Sequence, residues 1–120
     1  MKLKVFFLFA CVCFIYSCSY DNEESLFPDV TCETKNVTYS KFVSNYVNKL
    51  CVGCHSSASP SGGIVLDNYN AVKKYVDNGR FIGSIRHDNG YERMPQSMPK
   101  SPKCDIDKLE AWIASGAPNN

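Results

Sequence analysis

Residues 51–55 read Cys-Val-Gly-Cys-His. Two cysteines separated by two residues, with a histidine directly after the second, can support three chemistries. They can hold a zinc ion, cycle between dithiol and disulfide, or carry a haem through two thioether bonds. Zinc needs four ligands, and the sequence offers only His55 and His87 beside this pair, with no second close cysteine pair. Thiol–disulfide exchange works best with the first cysteine at the start of a helix, inside a strand–helix unit. It has no need of the histidine. Haem attachment uses every residue of the stretch. Two thiols add to the two vinyl groups of the porphyrin, and the histidine beside them ligates iron. That last chemistry belongs to exported proteins, so the compartment decides its weight.

The first residues speak to the compartment. Lys2 and Lys4 precede the apolar run VFFLFACVCFIY, which is too short for a stable bilayer-spanning helix and reads as a secretory signal over residues 1–17. The segment IYSC resembles the lipobox of bacterial lipoproteins, which implies cleavage before Cys18 and a lipid on it. The alternative is an ordinary signal that leaves Cys18 as a spare thiol. Lipid chains contribute about 0.8 kcal/mol per buried methylene, so a multiply acylated cysteine anchors stably. By resemblance to lipoprotein sorting, Ser19 implies the outer membrane, facing the periplasm or the exterior. The polar, acidic residues that follow, with Pro28, read as a flexible tether over 18–31.

From Cys18 onward there are 11 basic and 12 acidic side chains and no run of Lys and Arg. Nucleic acid is therefore not an expected partner. Residues 32–120 suffice for one domain with a marginal core, which a staple or a bound cofactor would reinforce. Of seven cysteines, Cys11 and Cys13 leave with the signal, Cys18 takes the lipid, and Cys51 and Cys54 form the motif. Cys32 and Cys104 are left, and in an oxidising compartment they most simply pair, two unrelated or reactive thiols being the other options.

The elements that must position the motif are helical. From Asn36, Val37, Phe42, Val43, Tyr46, Val47 and Leu50 recur at three- and four-residue spacings, an amphipathic helix that ends at Cys51. A loop, SSASPSGG, follows. Asp67 or Asn68 can cap a second helix, with Tyr69, Val72 and Val76 on one face and Gly79 as its stop. RFIGSIRH suits a short third helix with Phe81, Ile82 and Ile85 inward. DNGYERMPQSMPKSPK has no period. The last helix starts with an Asp cap, places Ile106, Leu109, Trp112 and Ile113 on one stripe, and stops at Gly116. GIVL is the sole short strand-like run. These patterns predict a small all-α domain of three to five helices with long loops. The loops suit compactness best if a large flat apolar group fills the centre and the proline-rich segment wraps it.

The helix before CVGCH, the Met-Pro loop and the terminal LEAWIASGAP together resemble class I c-type cytochromes, more closely the small haem-bearing bacterial lipoproteins. The resemblance covers residues 32–120, which it makes a cytochrome c domain wrapped around one covalent haem c. It implies thioethers at Cys51 and Cys54, His55 as proximal ligand, a methionine as distal ligand, and a Cys32–Cys104 pair. In the family that methionine precedes a proline some ten residues before the second disulfide cysteine. Met94 has this spacing to Cys104; Met98 is the alternative, since the Met-Pro pair is duplicated here. His87 would make a bis-histidine haem, or be a loop residue. Arg80 and Arg86 are candidates for the haem propionates or ordinary solvated arginines, and Trp112 is read as core. Met/His ligation leaves no open iron position, so the expectation is a monomeric electron carrier serving redox protein partners, not an enzyme. The other class is a haem-based ligand-binding or sensor lipoprotein with a displaceable distal ligand. A non-haem lipoprotein with CVGCH as a plain disulfide is the third.

Overall fold

Thr38 begins the first helical run by accepting the Lys41 amide on its hydroxyl, 3.2 Å away, in a computed structural model that describes residues 31–120. The signal expected over 1–17, Cys18, and the 18–31 tether up to its last residue lie outside the described residues. One wide π-type turn, Tyr39–Val43, leads directly into α1, Ser44–Leu50. The helical run starts at Tyr39, two residues after Val37, the first residue of its apolar pattern, and Asn36 just before takes left-handed backbone at φ 56°. Its first amides are met from the far end of the chain. Tyr39 donates to the Asn120 side-chain oxygen and Ser40 to the Asn120 carbonyl, each at 2.9 Å.

After the cysteine turn, β1 (His55–Ser56) pairs antiparallel with β2 (Ser59–Pro60) in a minimal hairpin. GIVL forms no strand. Gly62 and Gly63 hold positive φ in a 3₁₀ turn, Ser61–Gly63, and Leu66 sends its amide to the His55 carbonyl at 2.7 Å. α2, Tyr69–Asp77, is capped by Asn68, whose side chain accepts from the Ala71 amide. Gly79 in left-handed backbone turns the chain into α3, Arg80–Arg86, which His87 closes at φ 59°. α4, Lys103–Ala114, corrects the expected Asp cap. Pro102 stands at its start, with no side-chain cap, and Asp105 sits inside the first turn, where a carboxylate suits the helix dipole. The helix stops as expected at Gly116. The Gly116 and Ala117 amides fold back on the Ile113 and Trp112 carbonyls at 2.9 and 3.0 Å.

The described domain is thus helical, with four α-helices and one two-residue-per-strand hairpin. The stripes converge as their spacing requires. Val43, Tyr46, Val47, Val72, Val76, Phe81, Ile85, Ile106, Leu109 and Trp112 are buried, while Val37, Phe42, Leu50, Tyr69, Ile82 and Ile113 pack half-buried around them. Trp112, Leu109, Val43, Val47 and Val72 close the centre completely. Side chains thus fill the middle of the described domain. Cys32 and Cys104 are joined by a disulfide, Cα to Cα 5.4 Å, so the start of the domain is stapled to the first turn of α4.

Candidate functional site

The end of α1 builds the cysteine turn. The Cys51 amide still closes a helical bond to Val47, at 2.8 Å. Then the Cys51 carbonyl accepts both the Cys54 amide, at 3.1 Å, and the His55 amide, at 2.9 Å. One turn of backbone thus gathers two thiols and an imidazole. Neither thiol is in a disulfide. Cys54 is exposed, whereas Cys51 packs against the core and burial pushes its thiol up to about 11. That is opposite to what thiol exchange requires, and Cys51 lies at the carbonyl end of its helix, which does not favour a thiolate.

His55 is held by its backbone, through the Leu66 amide and the pairing with Pro60, and its side chain is only 9% exposed. The ring is committed to nothing. Its Nδ1 is buried without a hydrogen-bond partner, a state that normally costs about 1–3 kcal/mol. Such a ring in an apolar setting, beside two uncommitted thiols, fits a ligand group that a haem would occupy. Asp67 secures the same hairpin from the other side. Its carboxylate accepts the Ser57 amide at 2.7 Å and the Asn68 side chain at 3.0 Å, and the Ser57 hydrogen bonds hold it below the usual carboxylate range. As a helix cap Asp67 was one of two candidates in sequence; its actual partner is ten residues back.

The methionines lie on the loop between α3 and α4. Met94 is half-buried and anchored twice. Its amide donates to the Ser84 carbonyl at 3.1 Å, and its carbonyl lies 3.2 Å from the His87 Nε2. Met98 is 51% exposed, and its amide reaches only Pro95 within the loop. A concavity of about 650 Å³ opens along this loop, lined by His87, Tyr91, Arg93, Met98 and Lys100 among others; Cys51, Cys54 and His55 do not line it. No hydrogen bond links either methionine to the cysteine turn. The loop's end meets α1 at Tyr46, whose hydroxyl sits 2.6 Å from that of buried Ser101.

The remaining candidates are committed elsewhere. Arg86 donates to Asp88 and to Glu110 on α4, both from Nε or Nη atoms at 2.8 Å, so its guanidinium ties the loop base to the last helix. Arg80 lies over the Tyr75 ring, 5.8 Å from its centroid. Trp112 is fully buried and gives its indole N–H to the Pro118 carbonyl at 3.0 Å. Among the described residues no three His, Cys, Asp or Glu side chains gather into a metal-holding group, and no helix is long and apolar enough to cross a membrane. The chain matches no protein-family model, no curated protein and no solved structure.

Proposed function

We propose that this protein is a monohaem c-type cytochrome that carries single electrons between redox partners outside the cytoplasm, held at a membrane by a lipid on Cys18. The observation that carries the proposal is the Cys51–His55 turn, where two unpaired thiols and a buried imidazole with an unpartnered nitrogen share one turn of backbone. Haem c, when bound, supplies an iron that cycles between Fe(III) and Fe(II). Cys51 and Cys54 would hold it, each thiol adding across one vinyl group, and His55 would be the proximal ligand. Met94 would be the distal ligand, because its amide is tied to Ser84 of α3 and its carbonyl to His87 just past that helix. The buried stripes beside the turn would exclude water from one side and limit reorganisation on electron transfer. With His55 and Met94 both holding the iron, little would be left there for a substrate to bind, and the partners would be redox proteins met through a small transient interface.

The second reading is a haem protein that binds small ligands. The exposure of Met98 and the open concavity of its loop favour it, since a loosely held methionine is displaced easily. One set of optical spectra separates the two. The mature domain, produced with haem-attachment machinery, is recorded oxidised, reduced, and reduced under carbon monoxide. An electron carrier shows covalent haem, a weak far-red methionine–iron band when oxidised, and no response to carbon monoxide. Met94→Ala is expected to abolish the far-red band, and Met98→Ala to leave it. An immediate carbon monoxide response selects the ligand-binding reading, and absence of covalent haem refutes both.

A further inference from the structure

We infer that α3 is a cradle in which Gly83 seats the Tyr91 ring and His87, at the helix end, holds the Met94 carbonyl, so that these residues position the distal methionine without ligating. The inference rests on the cytochrome reading above. It starts from a close approach: a Cβ on Gly83 would fall 2.7–2.8 Å from three carbons of the Tyr91 ring, whereas one on Gly79 would make only ordinary contact with its hydroxyl, at 3.4 Å. Gly79 lies in left-handed backbone just before the helix, and Gly83 in the middle of it. The ring lies against Gly83 with its hydroxyl toward Gly79, and Tyr91 remains 39% exposed. No side chain with a Cβ leaves that room at Gly83.

Three residues beyond the ring comes Met94. Its amide bonds to Ser84 and its carbonyl to His87, both within or just past the last turn of the same helix. The loop base is fixed as well. The Asp88 amide returns to the Gly83 carbonyl at 2.9 Å, and Arg86 clamps the Asp88 side chain. Residues 83–94 thus close a loop whose wedge is the Tyr91 ring and whose end is Met94. His87 keeps a left-handed backbone at φ 59°, a conformation that non-glycine residues resist. Its ring has an employment there, the Met94 carbonyl, which explains why a histidine stands where glycine would be easier. A neutral thioether is a weak ligand, and a loop ordered beforehand would favour its staying on iron by cutting the cost of ordering on binding. Met98 has none of these ties.

The test compares holoprotein variants Gly83→Ala, Tyr91→Ala and Tyr91→Phe with the unaltered protein. In each, covalent haem, thermal unfolding, the far-red methionine–iron band, carbon monoxide binding and hydrogen exchange at the Met94 amide are measured. All three variants are expected to retain covalent haem and cooperative unfolding. Gly83→Ala and Tyr91→Ala lose the far-red band, bind carbon monoxide when reduced, and exchange the Met94 amide at least about tenfold faster. Tyr91→Phe keeps the ring and behaves as the unaltered protein does. Should Gly83→Ala fail to fold, the surface change Tyr91→Ala decides alone. A band and a slow amide that survive Tyr91→Ala overturn the cradle and leave the cytochrome reading standing, and so does a Tyr91→Phe that fails like Tyr91→Ala. An unaltered protein without covalent haem overturns the reading and the cradle together.

Discussion

Cys51 and Cys54 are the same residue type three positions apart, yet their surroundings make them chemically unlike. Cys54 is exposed; Cys51 is packed on the core, and at a pKa of about 11 only about one in a thousand Cys51 side chains is thiolate at pH 8. In protein prepared without haem, a maleimide is expected to alkylate Cys54 at least about tenfold faster than Cys51 at that pH. Mass spectrometry of the single variants Cys51→Ser and Cys54→Ser measures both rates, and equal rates would show that Cys51 is not shielded as described. The same inequality would bear on the proposed haem attachment, since the half-buried thiol is the less reactive of the two. His55 shows a comparable contrast within one residue. Its backbone is fully engaged while its ring has no partner, so the fold orders the group and leaves its chemistry free.

Between elements, the contact that matters most for the site is Tyr46 to Ser101, which joins the helix leading into the cysteine turn to the end of the methionine loop. Burial raises the Tyr46 phenol, and the Ser101 hydrogen bond and nearby Cys51 and Asp105 modulate it. The consequence for stability has a definite sign. Below the ordinary tyrosine pKa of about 10 the phenol is neutral in the folded and unfolded chains alike, and its contribution is fully present. Above that pH the unfolded chain ionises first, so stability falls as pH rises toward the folded pKa. Tyr46→Phe is expected to lower stability by about 1 kcal/mol at neutral pH, by loss of the hydrogen bond, and to flatten the decline above about pH 10. Urea unfolding across pH checks this. An unchanged alkaline slope in Tyr46→Phe would assign the decline to other groups, Tyr39 first, whose phenol burial also raises.

At the scale of the whole domain, the staple and the core share the work of holding a small chain together. The Cys32–Cys104 bridge spans 72 residues of sequence and joins the entry of the domain to α4. The chain-entropy model puts the stabilisation of a loop that long at about 4 kcal/mol. Cys32→Ser with Cys104→Ser is expected to lower the urea midpoint by an amount corresponding to that free energy, with helical circular dichroism retained in the absence of denaturant. A midpoint unchanged by the double substitution would place the domain's stability wholly in its side-chain core. That core is substantial, because Trp112 and Leu109 of α4 close it against Val43 and Val47 of the first helical run and Val72 of α2. Asn120 adds a further closure by meeting the open amides of Tyr39 and Ser40.

By itself the sequence determined what depends on neighbours along the chain. The stripes of Val43, Val47, Leu109 and Trp112 follow helical spacing, and Gly79 and Gly116 stop helices because they accept left-handed backbone where other residues resist it. The Cys-Val-Gly-Cys-His turn was legible for the same reason, being contiguous, and the Cys32–Cys104 pairing followed from counting. Tertiary structure decided whatever depends on a partner distant in sequence. It sent Asp67 to the Ser57 amide and left the cap to Asn68; it removed the Asp cap of α4 in favour of Pro102; it turned Arg86 toward Glu110 and His87 toward the Met94 carbonyl. The seat of Tyr91 on Gly83 is of this kind too. A polar or aromatic side chain has several satisfying partners within reach in an unfolded chain, and only the packing of the helices leaves it one.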